Sequence, residues 1–142
     1  MEHQQLETEV TLIGDKVRFS GKSRNNPEVI MNYFPPFGDG DGYTGLEMLL
    51  LSFSGCSGTV VAALLRKMGK TVQGLTIRAT GQRQETLPMA FSTIDILFTI
   101  NAQDATDEDV RKVLNLAETS MCPVWAMIRG NVEVNVSFKL NR

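Results

Sequence analysis

Two cysteines are the residues of this chain best suited to chemistry. Cys56 lies in the segment LSFSGCSGTVV, residues 51–61, and Cys122 lies in MCPVW, 66 residues further along. A thiolate is a nucleophile, and two thiols that meet can pass through a sulfenic acid to a disulfide. A spacing of 66 residues fixes no distance, however, and a free cysteine taken alone is more often a buried, inert hydrophobe.

The local context of each cysteine favours the reactive interpretation. Cys122 directly precedes Pro123, and because proline favours the first position of a helix, Cys122 is predicted to be an N-cap, where the helix dipole favours a thiolate. Cys56 is surrounded by Ser, Gly and Thr residues, which donate hydrogen bonds or leave space for a substrate. Such a pair suits a peroxidatic cysteine that becomes a sulfenic acid and a resolving cysteine that condenses with it.

The sequence has few of the residues and motifs that other kinds of active or binding site require. The single histidine is His3, so histidine triads and histidine-containing zinc sites are not expected, and two cysteines make a poor metal set. We find no GxxxxGK[ST] or GxGxxG phosphate loop. The GDGDGY stretch has carboxylates but lacks the twelve-residue ligand pattern of a calcium loop. No metal and no bound cofactor are predicted.

Composition is that of a globular protein without a charged binding face. The 142 residues are 42% apolar and 21% charged, which predicts one domain with a hydrophobic core. The net charge of −2 gives no indication of a basic surface that would bind nucleic acid or anionic lipid. The longest uncharged run, residues 48–65, is interrupted by Ser and Gly, so we do not interpret it as a membrane span. The N-terminus shows no signal-peptide pattern. A cytoplasmic protein is expected.

The first third of the chain is predicted to form strands and a loop. Residues 8–13 and 17–19 carry β-branched side chains around a Gly14–Lys16 turn, and residues 28–34 supply a third strand. Residues 34–45, with two prolines and four glycines, must be a loop. Such a loop suits a flap over a site, but a plain connection is the more frequent case.

The remainder alternates helices with strands. The predicted elements are a helix from Thr44 to about Lys67, a hairpin of strands 75–79 and 94–100 around loop 84–90, a helix capped by Thr106, a short helix from Pro123 to about Arg129, and a strand over 132–140. This order predicts an α+β fold. We expect a single domain over residues 1–142, with strands and a loop in 1–43 and the cysteine-bearing helices in 44–142.

The segments LEMLLLSFSGCSGTVVAALLRKMG and AETSMCPVWAMIRGNVEVNVSF resemble the OsmC/Ohr superfamily, the osmotically inducible and organic hydroperoxide resistance proteins. The likeness covers residues from about 44 to 140, including the element order and the spacing of both cysteines. It implies an OsmC-like fold in which two subunits form an intertwined homodimer, with antiparallel sheets wrapped around central helices. Small residues around Cys56 would then let helices pack closely.

The resemblance also implies a chemistry. Cys56 would attack an organic hydroperoxide and Cys122 would form a disulfide with it, while an Arg and a Glu hold the thiolate. An external dithiol such as dihydrolipoamide would restore the enzyme. An apolar pocket lining would favour alkyl or fatty-acid peroxides, and we name as candidates Phe34, Phe37, Met48 and Trp125. Each of these is also suited to an ordinary core, Trp125 most of all.

Two positions depart from the pattern of the established peroxidases. Their catalytic Glu follows Asn-Pro and lies ten residues before the cysteine, where this chain has Leu46, and Gly45 replaces the proline. The nearest carboxylate is Glu47, nine residues before Cys56, which we name as the candidate for this Glu. A shift of one residue rotates a helical side chain by about 100°, however, and Glu47 is equally suited to the first turn of a helix, where carboxylates are favoured. This places the chain closer to OsmC-like proteins outside the characterised peroxidases.

The arginine is equally open. Arg18 and Arg24 lie in the region that supplies it in the family, and each is also suited to a solvated strand position. We favour Arg18 for the role and interpret Arg24 as a solvated strand residue. Two functions follow: a thiol peroxidase for organic hydroperoxides, which we favour, or an OsmC-like dimer that binds or processes another small thiol-reactive molecule without efficient turnover. The cysteine pair favours the first, and the displaced Glu favours the second.

Overall fold

The structure, a computed structural model, describes residues 4–142, so His3 lies outside the described residues. It contains a π-helix (Ala117–Met121) and nine regular elements, which are β1 (Glu9–Ile13), β2 (Arg18–Lys22), β3 (Val29–Met31), α1 (Gly45–Lys67), β4 (Gly74–Arg83), β5 (Phe91–Asn101), α2 (Asp107–Leu116), α3 (Pro123–Ile128) and β6 (Glu133–Asn141). The α+β prediction is confirmed. The chain divides into two compact units, and the division falls within α1, between Leu49 and Leu50. Whether the two units act as one domain stays a prediction.

The N-terminal unit is built on an antiparallel sheet with strand order β1-β2-β3. Gly14 adopts a φ of 79° in the turn between β1 and β2, a conformation that glycine reaches without steric cost. The predicted strands are confirmed, but β2 continues to Lys22, which pairs with Glu9 of β1, while Ser20 and Gly21 pair with β3. The third strand is shorter than predicted and ends at Met31.

The loop that follows β3 is fastened by polar contacts within the same unit. The Asn32 backbone N–H donates to the Tyr43 carbonyl at 3.0 Å, and the Asn32 side-chain amide donates to Asp41 Oδ1 at 2.6 Å. Gly38 lies so close to Asn32 that a Cβ there would approach Asn32 Oδ1 to 2.2 Å. The glycines of this loop therefore serve close packing as well as bending.

The C-terminal unit contains a second sheet with strand order β4-β5-β6. Strand β5 is central, and its alternate side chains Ile94, Ile96, Phe98 and Ile100 are fully buried. β4 and β5 pair antiparallel, as the hairpin prediction requires, whereas β5 and β6 pair in parallel. This parallel pair departs from the expected all-antiparallel sheets, because parallel neighbours require a crossover connection, here supplied by α2, the π-helix and α3.

Helix α1 buries one face in this unit. Its buried residues recur at helical spacing and are Phe53, Ser57, Gly58, Val61 and Leu65. A Cβ at Gly58 would lie 2.6 Å from Ile77 Cδ1, so the missing side chain lets α1 approach β4. By length and composition alone α1 could cross a membrane. A core helix passes the same test, and the packed face of α1 supports that interpretation.

The predicted cap of α2 is present. Thr106 accepts from the Asp109 N–H at 3.1 Å, and Asp109 Oδ2 accepts from the Thr106 N–H at 2.9 Å, which makes a reciprocal capping box. Three acidic residues in the first turn, Asp107, Glu108 and Asp109, complement the helix dipole. The start of α2, and with it the start of the crossover, is therefore well defined by local chemistry.

Candidate functional site

Cys122 caps helix α3. Its backbone is extended, with φ −91° and ψ 111°, and its Sγ accepts from the Trp125 N–H at 3.4 Å. Pro123 occupies the first helical position, where its missing N–H is not needed. The N-cap prediction from the MCPVW segment is confirmed, and the Cys122 side chain is only 3% exposed.

The chain reaches Cys122 through the π-helix. The Cys122 N–H donates to the Ala117 carbonyl five residues earlier at 3.1 Å, which closes a wider turn than an α-helix makes. Arg129 Nη1 donates to the Glu118 carbonyl at 2.8 Å and ties this turn to the end of α3. The widened turn ends the helical run at Cys122 and sets the direction in which α3 begins.

Cys56 lies on α1, beside the start of α3, with its side chain partly exposed. Burial raises the pKa of the Cys56 thiol above its ordinary value, and the neighbouring Cys122 thiol raises it further. The Val124 backbone N–H opposes this shift because it hydrogen-bonds to the Cys56 sulfur. Both thiols are free, and Cys56 and Cys122 lie in adjoining parts of the C-terminal unit, because Ser57, the next residue of α1, contacts the Cys122 sulfur.

A serine adjacent to Cys56 contacts the other thiol. Ser57 is fully buried, and its Oγ lies 3.6 Å from Cys122 Sγ, within hydrogen-bonding distance for sulfur. The Cys122 sulfur therefore contacts α1 at the residue that directly follows Cys56. The sequence analysis missed Ser57, although its spacing of four from the apolar Phe53 was the signal that it faces the core.

An aromatic pair holds the two helices together. The rings of Phe53 on α1 and Trp125 on α3 meet edge to face, with centroids 5.0 Å apart and planes at 88°. Both side chains are buried, Trp125 being 2% exposed. Phe53 and Trp125 each lie three residues along the chain from a cysteine, so the pair fixes α3 against α1 close to both cysteines. The structure thus places Trp125 in the core.

Glu47 belongs to the N-terminal unit and is engaged in a cap. Its carboxylate accepts from the Thr44 N–H at 2.9 Å and from Thr44 Oγ1 at 3.1 Å, while its own N–H donates to Thr44 Oγ1 at 3.2 Å. This is a capping box at the start of α1. The hydrogen bonds of the Glu47 carboxylate therefore serve the helix start.

Arg18 and Arg24 differ in their surroundings. Arg18 begins β2, and its Nη2 lies 3.7 Å from Asp41 Oδ2, a loose ion pair. Its Nε is buried and has no hydrogen-bond partner among the described residues. Arg24 lies in the turn after β2 with a φ of 58°. Arg18 thus holds a buried donor that has no partner among the described residues.

The remaining pocket candidates also lie in the N-terminal unit. Phe34 and Phe37 are 56% and 70% exposed and contact the Tyr33 ring, with centroids 5.4 Å and 6.2 Å away. Met48 borders an open, mainly apolar cavity of about 390 Å³ formed largely by the β1-β2-β3 sheet. Of the predicted site residues, the C-terminal unit brings together Cys56, Cys122 and Trp125. The pocket role of the predicted lining residues stays a prediction.

The fold is α+β, and it carries two free cysteines on neighbouring helical segments. Comparison with known proteins identifies the family that shares this architecture. The sequence model of the family described as OsmC-like protein matches residues 38–137. The chain therefore belongs to the OsmC-like protein family.

Particular relatives agree with this assignment. The chain is 26% identical over 128 residues to Protein YhfA of Escherichia coli, a match that covers 86% of this chain and 89% of that protein. An OsmC-like protein from Mycoplasma pneumoniae superposes with a TM-score of 0.85 at 15% identity, covering 99% of both chains. An organic hydroperoxide resistance protein from Elizabethkingia anophelis superposes with a TM-score of 0.72 at 21% identity, covering 99% of this chain and 100% of that one. These two likenesses concern the fold.

Proposed function

We propose that this protein is a thiol-dependent peroxidase that reduces organic hydroperoxides. The observation that carries the proposal is the 3.6 Å contact between the hydroxyl of Ser57, the neighbour of Cys56 on α1, and the Cys122 sulfur, which brings the two cysteine-bearing segments together. Cys56 is the peroxidatic residue because it is partly exposed, whereas Cys122 is buried and suited to the second step. The family assignment supports the same division of roles.

The reaction has two balanced steps. The Cys56 thiolate attacks one peroxide oxygen, the O–O bond breaks, and the departing alkoxide takes a proton to leave as an alcohol, so Cys56 becomes a sulfenic acid. Cys122 then attacks the Cys56 sulfur and displaces hydroxide, which takes a proton and leaves as water, forming the Cys56–Cys122 disulfide. An external dithiol of the dihydrolipoamide kind reduces the disulfide and is itself oxidised.

The first step needs a cation. Because the pKa of the Cys56 thiol is raised within the C-terminal unit, the thiolate must gain stabilisation from a positive group to react at neutral pH. We assign this role to Arg18, whose Nε has no partner among the residues that the structure describes. Glu47 stays a proposed partner of that arginine, and a homodimer and a cytoplasmic location complete the proposal.

One alternative function is favoured by a specific observation. The Glu47 carboxylate is occupied by Thr44, and Gly45 stands where the peroxidase pattern has proline. A chain whose acidic residue serves a helix cap suits an OsmC-like dimer that binds or processes another small thiol-reactive molecule. The two functions differ in the rate at which a hydroperoxide consumes the thiols.

The deciding experiment is rapid mixing of the reduced protein with cumene hydroperoxide, followed by thiol counting and intact mass. The peroxidase predicts fast loss of two thiols and two hydrogens in the wild type. Cys122→Ser should stop at the sulfenic acid or a more oxidised state of Cys56, and Cys56→Ser should leave the peroxide intact. Thiols that react no faster than free cysteine at the same pH would overturn the peroxidase in favour of the alternative.

A further inference from the structure

Ser57 has an unusual partner for a hydroxyl on a helix. The Thr59, Thr119 and Ser120 hydroxyls of this chain donate to the backbone carbonyl four residues earlier, at 2.9, 2.7 and 3.3 Å. That is the ordinary arrangement for Ser and Thr within helices. The Ser57 hydroxyl instead contacts Cys122 Sγ across 65 residues of sequence. Because the buried Ser57 hydroxyl does not donate to a carbonyl of its own helix, it can donate to the Cys122 sulfur.

The surroundings of the Cys122 sulfur define the direction of this hydrogen bond. When both groups are protonated, either Ser57 Oγ or Cys122 Sγ can donate. A thiolate has no proton, so once Cys122 ionises the hydroxyl must be the donor. The sulfur then accepts from two fixed directions, the Trp125 N–H on its own helix and the Ser57 hydroxyl on α1.

We propose that Ser57 is a positioning residue for the second thiol: its hydroxyl holds the Cys122 sulfur toward Cys56 and donates to it while it attacks. Because Ser57 is the neighbour of Cys56 on α1, any movement of that helix carries the target sulfur and the donor together. The Ser57 hydroxyl therefore keeps its position relative to the Cys56 sulfur, with which Cys122 forms the disulfide. This inference rests on the proposed pairing of both cysteines in one disulfide, but it does not depend on a peroxide as the oxidant.

The test uses the disulfide reagent DTNB, so that it reads the second step without any peroxide. The Cys56 thiolate attacks the reagent, releases one thionitrobenzoate and becomes a mixed disulfide. Cys122 then attacks the Cys56 sulfur of that mixed disulfide, releases the second thionitrobenzoate and leaves the Cys56–Cys122 bond. The Cys122→Ser variant should release only one equivalent of thionitrobenzoate. Its single release therefore identifies the first phase with Cys56 and the second phase, seen in the wild type, with Cys122.

The variant of interest is Ser57→Ala, which removes the hydroxyl with little change in volume. We expect the first release to keep its wild-type rate and the second to slow about tenfold, as for loss of a hydrogen bond to a charged group. Ser57→Thr keeps the hydroxyl and should stay close to the wild-type rate. Thr59→Ala removes a hydroxyl from the exposed side of the same helix and should alter neither phase.

The outcomes separate this inference from the peroxidase proposal. A second phase of unchanged rate in Ser57→Ala overturns the inference, and so does an equal slowing of both phases, which would indicate a general loss of structure. A second release that slows in Ser57→Ala while the first keeps its rate supports the role of Ser57, even if cumene hydroperoxide fails to oxidise the wild type. Failure of the peroxide experiment alone overturns the proposed function and leaves the role of Ser57 standing.

Discussion

The ring of Phe53 on α1 meets the indole of Trp125 on α3 edge to face, and this contact lies directly beside the two thiols. The ring centroids are 5.0 Å apart, and both side chains are buried. An edge-to-face pair stabilises by about 0.5–1.5 kcal/mol beyond the area it buries. The contact therefore links the stability of the C-terminal unit to the distance between Cys56 and Cys122.

Replacing Phe53 by leucine should test that link. Phe53→Leu loses buried volume and the aromatic pair, so we expect the free energy of unfolding to fall by about 1–3 kcal/mol in urea denaturation. The second DTNB release should slow as well, because α3 is held less firmly. The matched control is Phe37→Leu at a 70% exposed position, which should change stability by less than about 0.5 kcal/mol. Equal effects of the two substitutions would contradict the prediction.

The pH dependence of Cys56 alkylation should respond to the other thiol. The thiolate is the reactive form, so a raised pKa moves the rise in reaction rate to higher pH. The Cys122→Ser variant removes the sulfur charge, one of the causes of the raised pKa, while burial, the largest cause, remains. We expect the midpoint of the iodoacetamide rate profile to be lower in Cys122→Ser than in the wild type. A midpoint that is unchanged or higher would show that Cys122 does not act on Cys56 in this way.

The two candidate arginines should differ in their effect on the peroxide step. The proposed role of Arg18 is to stabilise the Cys56 thiolate, and a cation in that role lowers the pKa of an acid by about 1–3 units, so Arg18→Gln should slow the reaction of Cys56 with cumene hydroperoxide at neutral pH about tenfold or more. Arg24→Gln is the matched control and should leave the rate near the wild-type value. Stopped-flow measurement of thiol loss gives both rates. Equal rates in the two variants would remove Arg18 from the proposed mechanism.

Packing of α1 on β4 should be sensitive to the side chain at position 58. A Cβ there would lie 2.6 Å from Ile77 Cδ1, the end of a flexible side chain, and the two further methyl groups of valine require a larger displacement than a Cβ alone. Gly58→Val should lower the free energy of unfolding by about 1–3 kcal/mol. Adding Ile77→Ala should return part of that loss, because the second change removes the clashing atoms. Strictly additive losses in a double-mutant cycle would contradict direct contact.

Local signals in the sequence identified most elements correctly. Thr44 and Lys67 bracket the observed α1, Thr106 caps α2, and the Cys122–Pro123 pair starts α3. Each of these boundaries depends on hydrogen bonds or φ restrictions within a few residues, and such interactions are visible in a single sequence. The strict alternation of β6 was equally local evidence and correctly predicted a strand.

The features that the sequence did not disclose involve distant partners. The parallel pairing of β6 with β5 depends on where the crossover carries the chain, and alternation alone cannot distinguish parallel from antiparallel neighbours. Ser57 looked like one of several small residues, because its partner lies 65 positions away. The π-helix also had no marker, since the AETSM segment fits an α-helix equally well.

The parallel pairing of β5 and β6 has a mechanical consequence for the thiols. Cys122 lies on a connection whose two ends are both bound into one sheet, through nine consecutive residue pairs that begin at Thr93 and Glu133. A segment clamped at both ends cannot swing away as a hinged arm does. Any displacement that accompanies a change in the oxidation state of Cys122 must therefore take place within the connection between β5 and β6.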